Sequence, residues 1–276
     1  MRRPRPLPLL ALILAAAACA GEGPGEHETA ALDRPNILFI SVDDLNDWIE
    51  PLGGHPQART PNINRLADEG IVFTRAYTAS PGCNPSRTAL LTGMHTYSTG
   101  MYSNYQAWRE VLPDAVTLPA HLSASGYWSA GAGQIFHNDQ PDPGSWDAYY
   151  PSLDKHMPDY FYPDSGSTVN MPASVGLYRD FDWSPIDIPD EQTGDYGSVA
   201  WVIEQLRKEH DRPFFLAAGI YRPHLPWYVP REYFELFPLE EVRLPRILED
   251  DLSDISERGR DIAARGGNYH RHVVEA

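Results

Sequence analysis

Three short, mainly apolar runs, each stopping abruptly at polar residues, most constrain what this chain can fold into. Pro35–Val42 runs into Asp43 and Asp44, Tyr127–Ala132 leads to Gln134 and His137, and Pro213–Ile220 leads to Arg222 and His224. Runs of this length read as strands buried in a parallel-type sheet. Helical patterns separate them. Thr60 and Pro61 read as an N-cap followed by proline at the first helical position. Ile63, Leu66 and Ala67 then share a face, and Gly70 closes the helix. Ile71–Phe73 is predicted as a further short strand. Leu118–Ala124 fits a helix ended by Gly126. Tyr196, Val199, Ala200, Ile203 and Leu206 mark one face of a helix running to about His210. The alternation predicts an α/β fold, a mostly parallel central sheet flanked by helices. Residues 141–190 are rich in Pro, Asp, Ser and aromatics with little periodicity, which predicts a long loop insertion. Open α/β sheets bind ligands at the carboxyl ends of their strands. The three polar clusters therefore fall at one edge of one sheet, as a candidate site.

The 42% hydrophobic content of the 276 residues suffices for a core. A net charge of −16, with no basic cluster after the leader, argues against nucleic acid as a partner. The chain opens with the basic stretch Met1–Arg5, the apolar run Leu7–Ala18 and the small residues Ala16–Ala20, which together read as a signal peptide over residues 1–20. Two processing routes remain open, cleavage after an Ala-x-Ala or lipidation of Cys19 as an anchor, with residues 21–33 as a flexible linker. Either route predicts export from a bacterial cytoplasm, to the periplasm or to a membrane-anchored lipoprotein. The one other cysteine, Cys83, then has no intramolecular disulfide partner. It is either a buried, inert thiol or a cysteine kept for chemistry.

The chemistry-bearing motifs follow that distinction. Cys83-Asn84-Pro85-Ser86-Arg87 continues into Thr88-Ala89-Leu90-Leu91-Thr92-Gly93. Pro85 suits the first turn of a helix, so Cys83 falls near free backbone N–H groups and the positive end of the dipole, where anions are favoured. Arg87, about one turn on, can hold an oxygen there by charge-assisted hydrogen bonds. The pair Asp43-Asp44 supplies two hard carboxylates suited to a divalent cation, or else a solvated loop. Gly133-Gln134-Ile135-Phe136-His137 and Tyr221-Arg222-Pro223-His224-Leu225-Pro226-Trp227 each deliver a histidine after a strand.

Together these segments resemble the sulfatase family of the alkaline-phosphatase-like superfamily, and most nearly its iduronate-2-sulfatase-like branch. The resemblance runs from about Arg34 to the end of the chain and implies a partial catalytic domain over residues 34–276. It implies that a maturation enzyme oxidises Cys83 to formylglycine, whose hydrate is the nucleophile. It implies that Asp43, Asp44 and residue 83 ligate a divalent cation, Ca2+ in most relatives and Mg2+ as the other option. It implies for His137 the role of the residue that releases sulfate, and for His224 the binding of sulfate and the protonation of the leaving alcohol. Gln134 and Arg222 stand at substrate-binding positions where this branch has lysines. Relatives are longer, and their additional part supplies further metal ligands and a sulfate-binding lysine. Lys155 and Lys208, the two lysines here, match neither, which predicts a truncated sequence. The implied activity is hydrolysis of a sulfated sugar or a similar sulfate ester. The alternatives are a phosphonate or phosphodiester hydrolase of the same superfamily, or an inactive remnant serving at most as a binding lipoprotein.

Overall fold

A computed structural model describes residues 34–137, 140–160, 169–170, 181–245 and 248–265. The expected leader and linker, with Cys19, lie outside these residues, as do 161–168 and 171–180 of the predicted insertion. Strand β1 (Ile37–Val42) is followed by helices α1 (Pro61–Glu69), α2 (Cys83–Thr92), α3 (Thr96–Thr99), α4 (Trp108–Val111) and α5 (Leu118–Ala124). Then come β2 (Trp128–Gly133), β3 (Ala148–Tyr150), β4 (Trp183–Ile186), α6 (Gly194–Leu206) and β5 (Phe214–Ile220). The described chain closes with β6 (Trp227–Pro230), α7 (Arg231–Glu235) and α8 (Glu257–Arg265). Among the described residues no helix is long and apolar enough to cross a membrane.

The main sheet has the order β1-β5-β2-β3, and every pairing in it is parallel. β5 is its centre. Successive side chains alternate between faces, so Phe215 and Ala217 join one core with Leu91, Trp108, Ile135, Phe136 and Trp146. Phe214, Leu216 and Ala218 join the other, with Ala130, Ala132 and Val202 of α6. The predicted α/β architecture is therefore present, with helices on both faces of the central strands.

Register brings the polar strand ends level. Val42 pairs with Ile220 and Gly133 with Gly219. Beyond those pairs the Asp43 N–H donates to the Ile220 carbonyl at 2.9 Å, and the Gln134 N–H to the Gly219 carbonyl at 3.1 Å. The approach is close enough to require glycine. A Cβ on Gly219 would lie 2.4 Å from the carbonyl carbon of Gln134, and Gly133 has φ of +72°.

Three expectations are corrected. Ile71–Phe73 forms no strand, and Ile71 and Phe73 are largely exposed, because no described strand offers them a ladder. β1 is not buried on both faces. It is an edge strand of the described sheet, so Ile37 and Phe39 pack against a core while Leu38 and Ile40 are 45% and 52% exposed. The segment 141–190 is not wholly loop either. β3 extends the main sheet because Trp146 and Tyr149 are core residues, and β4 pairs with β6 in a separate two-stranded parallel sheet.

Candidate active site

Asp43 and Asp44 occupy the turn where β1 leaves the sheet. Asp44 has φ of 54°, a left-handed backbone conformation uncommon for a residue with a side chain. The turn faces the start of α2. That helix begins after Gly82 and ends at Gly93, whose φ of +70° gives a left-handed cap donating to the Ala89 carbonyl. Cys83 is its first residue, and Pro85 sits in the first turn as expected.

One ligand atom each from Asp43, Asp44 and Cys83 lies within 4.8 Å of the others. A cavity of about 320 Å3 opens here, lined by these three with Ser86, Arg87 and Thr78 among others. The Asp43 Oδ2 atom is buried with no hydrogen-bond partner. Buried polar atoms are normally paired. An orphaned carboxylate oxygen beside a second carboxylate and a third donor fits a hard divalent cation held by Asp43, Asp44 and residue 83.

Arg87 holds the arrangement together. Its Nη2 pairs with Asp43 Oδ1 at 2.8 Å, and both side chains are almost fully buried. Its Nη1 donates to the carbonyls of Gln134 at 2.6 Å and Ile135 at 3.0 Å. One guanidinium thus ties the ends of β1 and β2 to α2, a use of its fork that lysine could not reproduce.

His224 approaches from the loop after β5. Its Nδ1 lies 2.6 Å from the Leu225 carbonyl and its Nε2 lies 3.8 Å from Asp44 Oδ2. Its pKa is raised to about 9, first by the hydrogen bond to Cys83, with the Leu225 carbonyl and the two aspartates adding and burial opposing. The Asp44 carboxyl is raised, chiefly by burial and also by Asp43, while His224 and Arg87 pull the other way.

The remaining candidates sit differently. Gln134 is buried, and its backbone rather than its side chain meets Arg87. His137 is half-buried at the end of the turn after β2, its carbonyl accepting from the Gln140 N–H at 2.9 Å. Neither lines the Cys83 cavity. Arg222 lines a second cavity of about 270 Å3 beside Asp195 and Tyr160. Its Nη1 donates to the His224 carbonyl at 2.9 Å and its Nε to the Tyr228 carbonyl at 3.4 Å, so it braces the loop.

Sequence reasoning passed over Asn84. This residue is 1% exposed, and its amide donates to the carbonyls of Asn104 and Gln106 and to Gln140 Oε1. Its own N–H donates to Asn104 Oδ1 at 3.0 Å, which moors the start of α2. The signal was available, since a polar residue beside the cysteine in a buried helix start must find partners.

Residues 35–246 match the Sulfatase family. The chain is 36% identical over 244 residues to a sulfatase of Formosa agariphila, covering 84% of this chain and 47% of that protein. It is 31% identical over 224 residues to human iduronate 2-sulfatase, covering 77% of this chain and 39% of that protein. It thus spans less than half the length of either relative. A solved structure in complex with its substrate D-glucosamine-2-N,6-O-disulfate shares the fold, with a TM-score of 0.58 and 22% identity over 83% of this chain and 42% of that one. With the cysteine motif, the aspartate pair and the two strand-end histidine segments all carried on this parallel sheet, the chain belongs to the sulfatase family.

Proposed function

We propose that the protein is a sulfuric ester hydrolase acting on a sulfated saccharide, with Cys83 as the precursor of a formylglycine nucleophile. The observation that carries this is the grouping of Asp43, Asp44, Cys83 and Arg87 around one cavity at the sheet edge, with His224 beside Asp44 and Cys83. The N-terminal turn of α2 favours an anion, such as the sulfate group, beside residue 83. Arg87 keeps Asp43 oriented and adds positive charge next to that position. His224 stands beside residue 83, where its Nε2 can pass a proton to the departing alcohol oxygen. A divalent cation, Ca2+ or Mg2+, held by Asp43, Asp44 and residue 83 would supply charge stabilisation at sulfur. The saccharide class is supported by the solved relative that holds a sulfated glucosamine. The residues expected to form a leader and linker support export, with Cys19 as the candidate lipid anchor, and residue 83 requires a formylglycine-generating partner enzyme.

The test is made on protein purified from its native host. Peptide mass spectrometry is expected to find formylglycine at position 83. Incubation with glucosamine 6-sulfate and sulfated glycosaminoglycan disaccharides is expected to release inorganic sulfate, and phosphonate esters should react more slowly. An unmodified thiol together with no sulfate release would overturn the proposal. Faster phosphonate hydrolysis would reassign the substrate.

A further inference from the structure

We infer that Asp195 is the positioning residue that sets His224 against residue 83. The inference rests on the reading that His224 serves the reaction, yet part of its test does not require turnover.

Asp195 lies in the first turn of α6 and is not among the residues that line the Cys83 cavity. Its carboxylate instead receives the chain as it leaves β5. Oδ1 accepts from the Tyr221 N–H at 2.8 Å and from the Tyr160 hydroxyl at 3.1 Å, and Oδ2 accepts from the Arg222 N–H at 3.0 Å. These are the first two amides beyond the last β5 residue, Ile220, where the pairing with β1 and β2 ends. An ionised acceptor with two oxygens suits two consecutive donors, and charge-assisted bonds of this kind are among the stronger ones.

His224 leans on both residues that Asp195 holds. Its N–H donates to the Tyr221 carbonyl at 2.9 Å, and its carbonyl accepts from Arg222 Nη1 at 2.9 Å. Its ring stacks on Tyr221 with centroids 4.7 Å apart and planes 24° apart. Tyr221 in turn packs on Tyr160, also at 4.7 Å, and its hydroxyl donates to the Leu225 carbonyl at 2.8 Å. That same carbonyl receives His224 Nδ1. Backbone, ring and tautomer of His224 are thus all set by residues anchored on one carboxylate.

The substitution Asp195→Asn keeps the shape but turns an NH2 group toward one of the two amides, so a donor meets a donor. Asp195→Glu keeps the charge but moves the acceptor oxygens by one methylene. Both are expected to shift the 221–225 loop without touching the reacting groups. In matured protein with a sulfated monosaccharide, either variant is expected to lose roughly 10–100-fold in kcat with KM little changed, the scale of an ångström-sized misplacement.

A second readout uses protein made without the maturation enzyme, in which position 83 is a thiol. The His224 ring stands beside that thiol, so the rate at which iodoacetamide alkylates Cys83 reports where the ring sits. In the Asp195 variants it should move from the wild-type rate toward that of His224→Ala. If the wild type shows no turnover, the sulfatase reading fails and the alkylation series still decides the role of Asp195. A folded Asp195→Asn or Asp195→Glu protein, with unchanged melting temperature, that alkylates at the wild-type rate would overturn the inference. So would a wild-type kcat in either variant of an active protein.

Discussion

β5 and β1 are written in nearly the same alphabet, apolar residues without a polar alternation, yet they lie in opposite environments. Six of the seven β5 residues are buried, because the strand has neighbours on both edges and a core on each face. β1 has β5 on one edge, and its outer side chains Leu38 and Ile40 are half in water. α1 continues that character, with no buried residue and a 63% exposed Leu66. An apolar run therefore states that a segment can be buried, while its place in the sheet decides how far it is. Both strands nevertheless lead into the site, β1 to Asp43 and Asp44 and β5 to His224, while β5 has a strand on each edge.

The sharpest way to break the comparison is at the ion pair that ties the end of β1 to α2. Arg87→Met removes the partner of a buried carboxylate and should cost about 3–5 kcal/mol, as breaking buried pairs does. Urea unfolding would register it, and a loss below 1 kcal/mol would show that Asp43 finds another partner. At the β5 centre, Leu216→Ala is expected to cost about 2–5 kcal/mol. The matching change on β1, Leu38→Ala, should cost under about 0.5 kcal/mol, the usual range at exposed positions. Equal losses at the two sites would mean that Leu38 is covered in solution.

Acid sensitivity should likewise belong to the buried region. His156 is fully buried and stacked on Tyr149 with centroids 3.7 Å apart. Its pKa falls to about 4, chiefly through burial, with the Leu153 carbonyl and Asp142 opposing. The unfolded chain thus binds this proton more readily between roughly pH 6.5 and 4. Stability from keeping His156 neutral is complete above about pH 6.5 and declines as pH falls toward 4. Melting temperatures of His156→Phe across that window should decline less than those of the wild type. Parallel curves would remove His156 from the account. A modest effect is expected at Tyr160→Phe, which takes one of the three donors from Asp195 and leaves both backbone amides bound. Its loss should stay near the roughly 1 kcal/mol of an ordinary hydrogen bond.

Much of the site was legible because its signals are local. The cysteine motif places residue 83 at a helix start through Pro85, and Asp43-Asp44 follows a run that stops. Helix boundaries at Leu118–Ala124 and strand boundaries at β2 and β5 also follow from nearby residues. Other features need partners far away in the chain. Asp195 reads as an ordinary acidic residue in a first helical turn, and nothing near it announces the amides of Tyr221 and Arg222. Arg222 reads as a cation delivered to the site, but its guanidinium is taken by the carbonyls of His224 in its own loop and of Tyr228 in β6. Ile71–Phe73 has strand-forming residues and no ladder to join, so propensity goes unused.

By itself, then, the sequence determined most of the element types, the order of β1, α1, α5, β2, α6 and β5, and which candidate residues follow the strand ends. Those properties depend on periodicity, capping and side-chain chemistry over a few residues. Only the tertiary structure decided that β5 lies between β1 and β2, that β1 exposes one face, and that His224 rather than Arg222 reaches Cys83. Each of these is a choice among distant partners, settled by which backbone groups and side chains can be satisfied together. Local pattern carries no information on that competition.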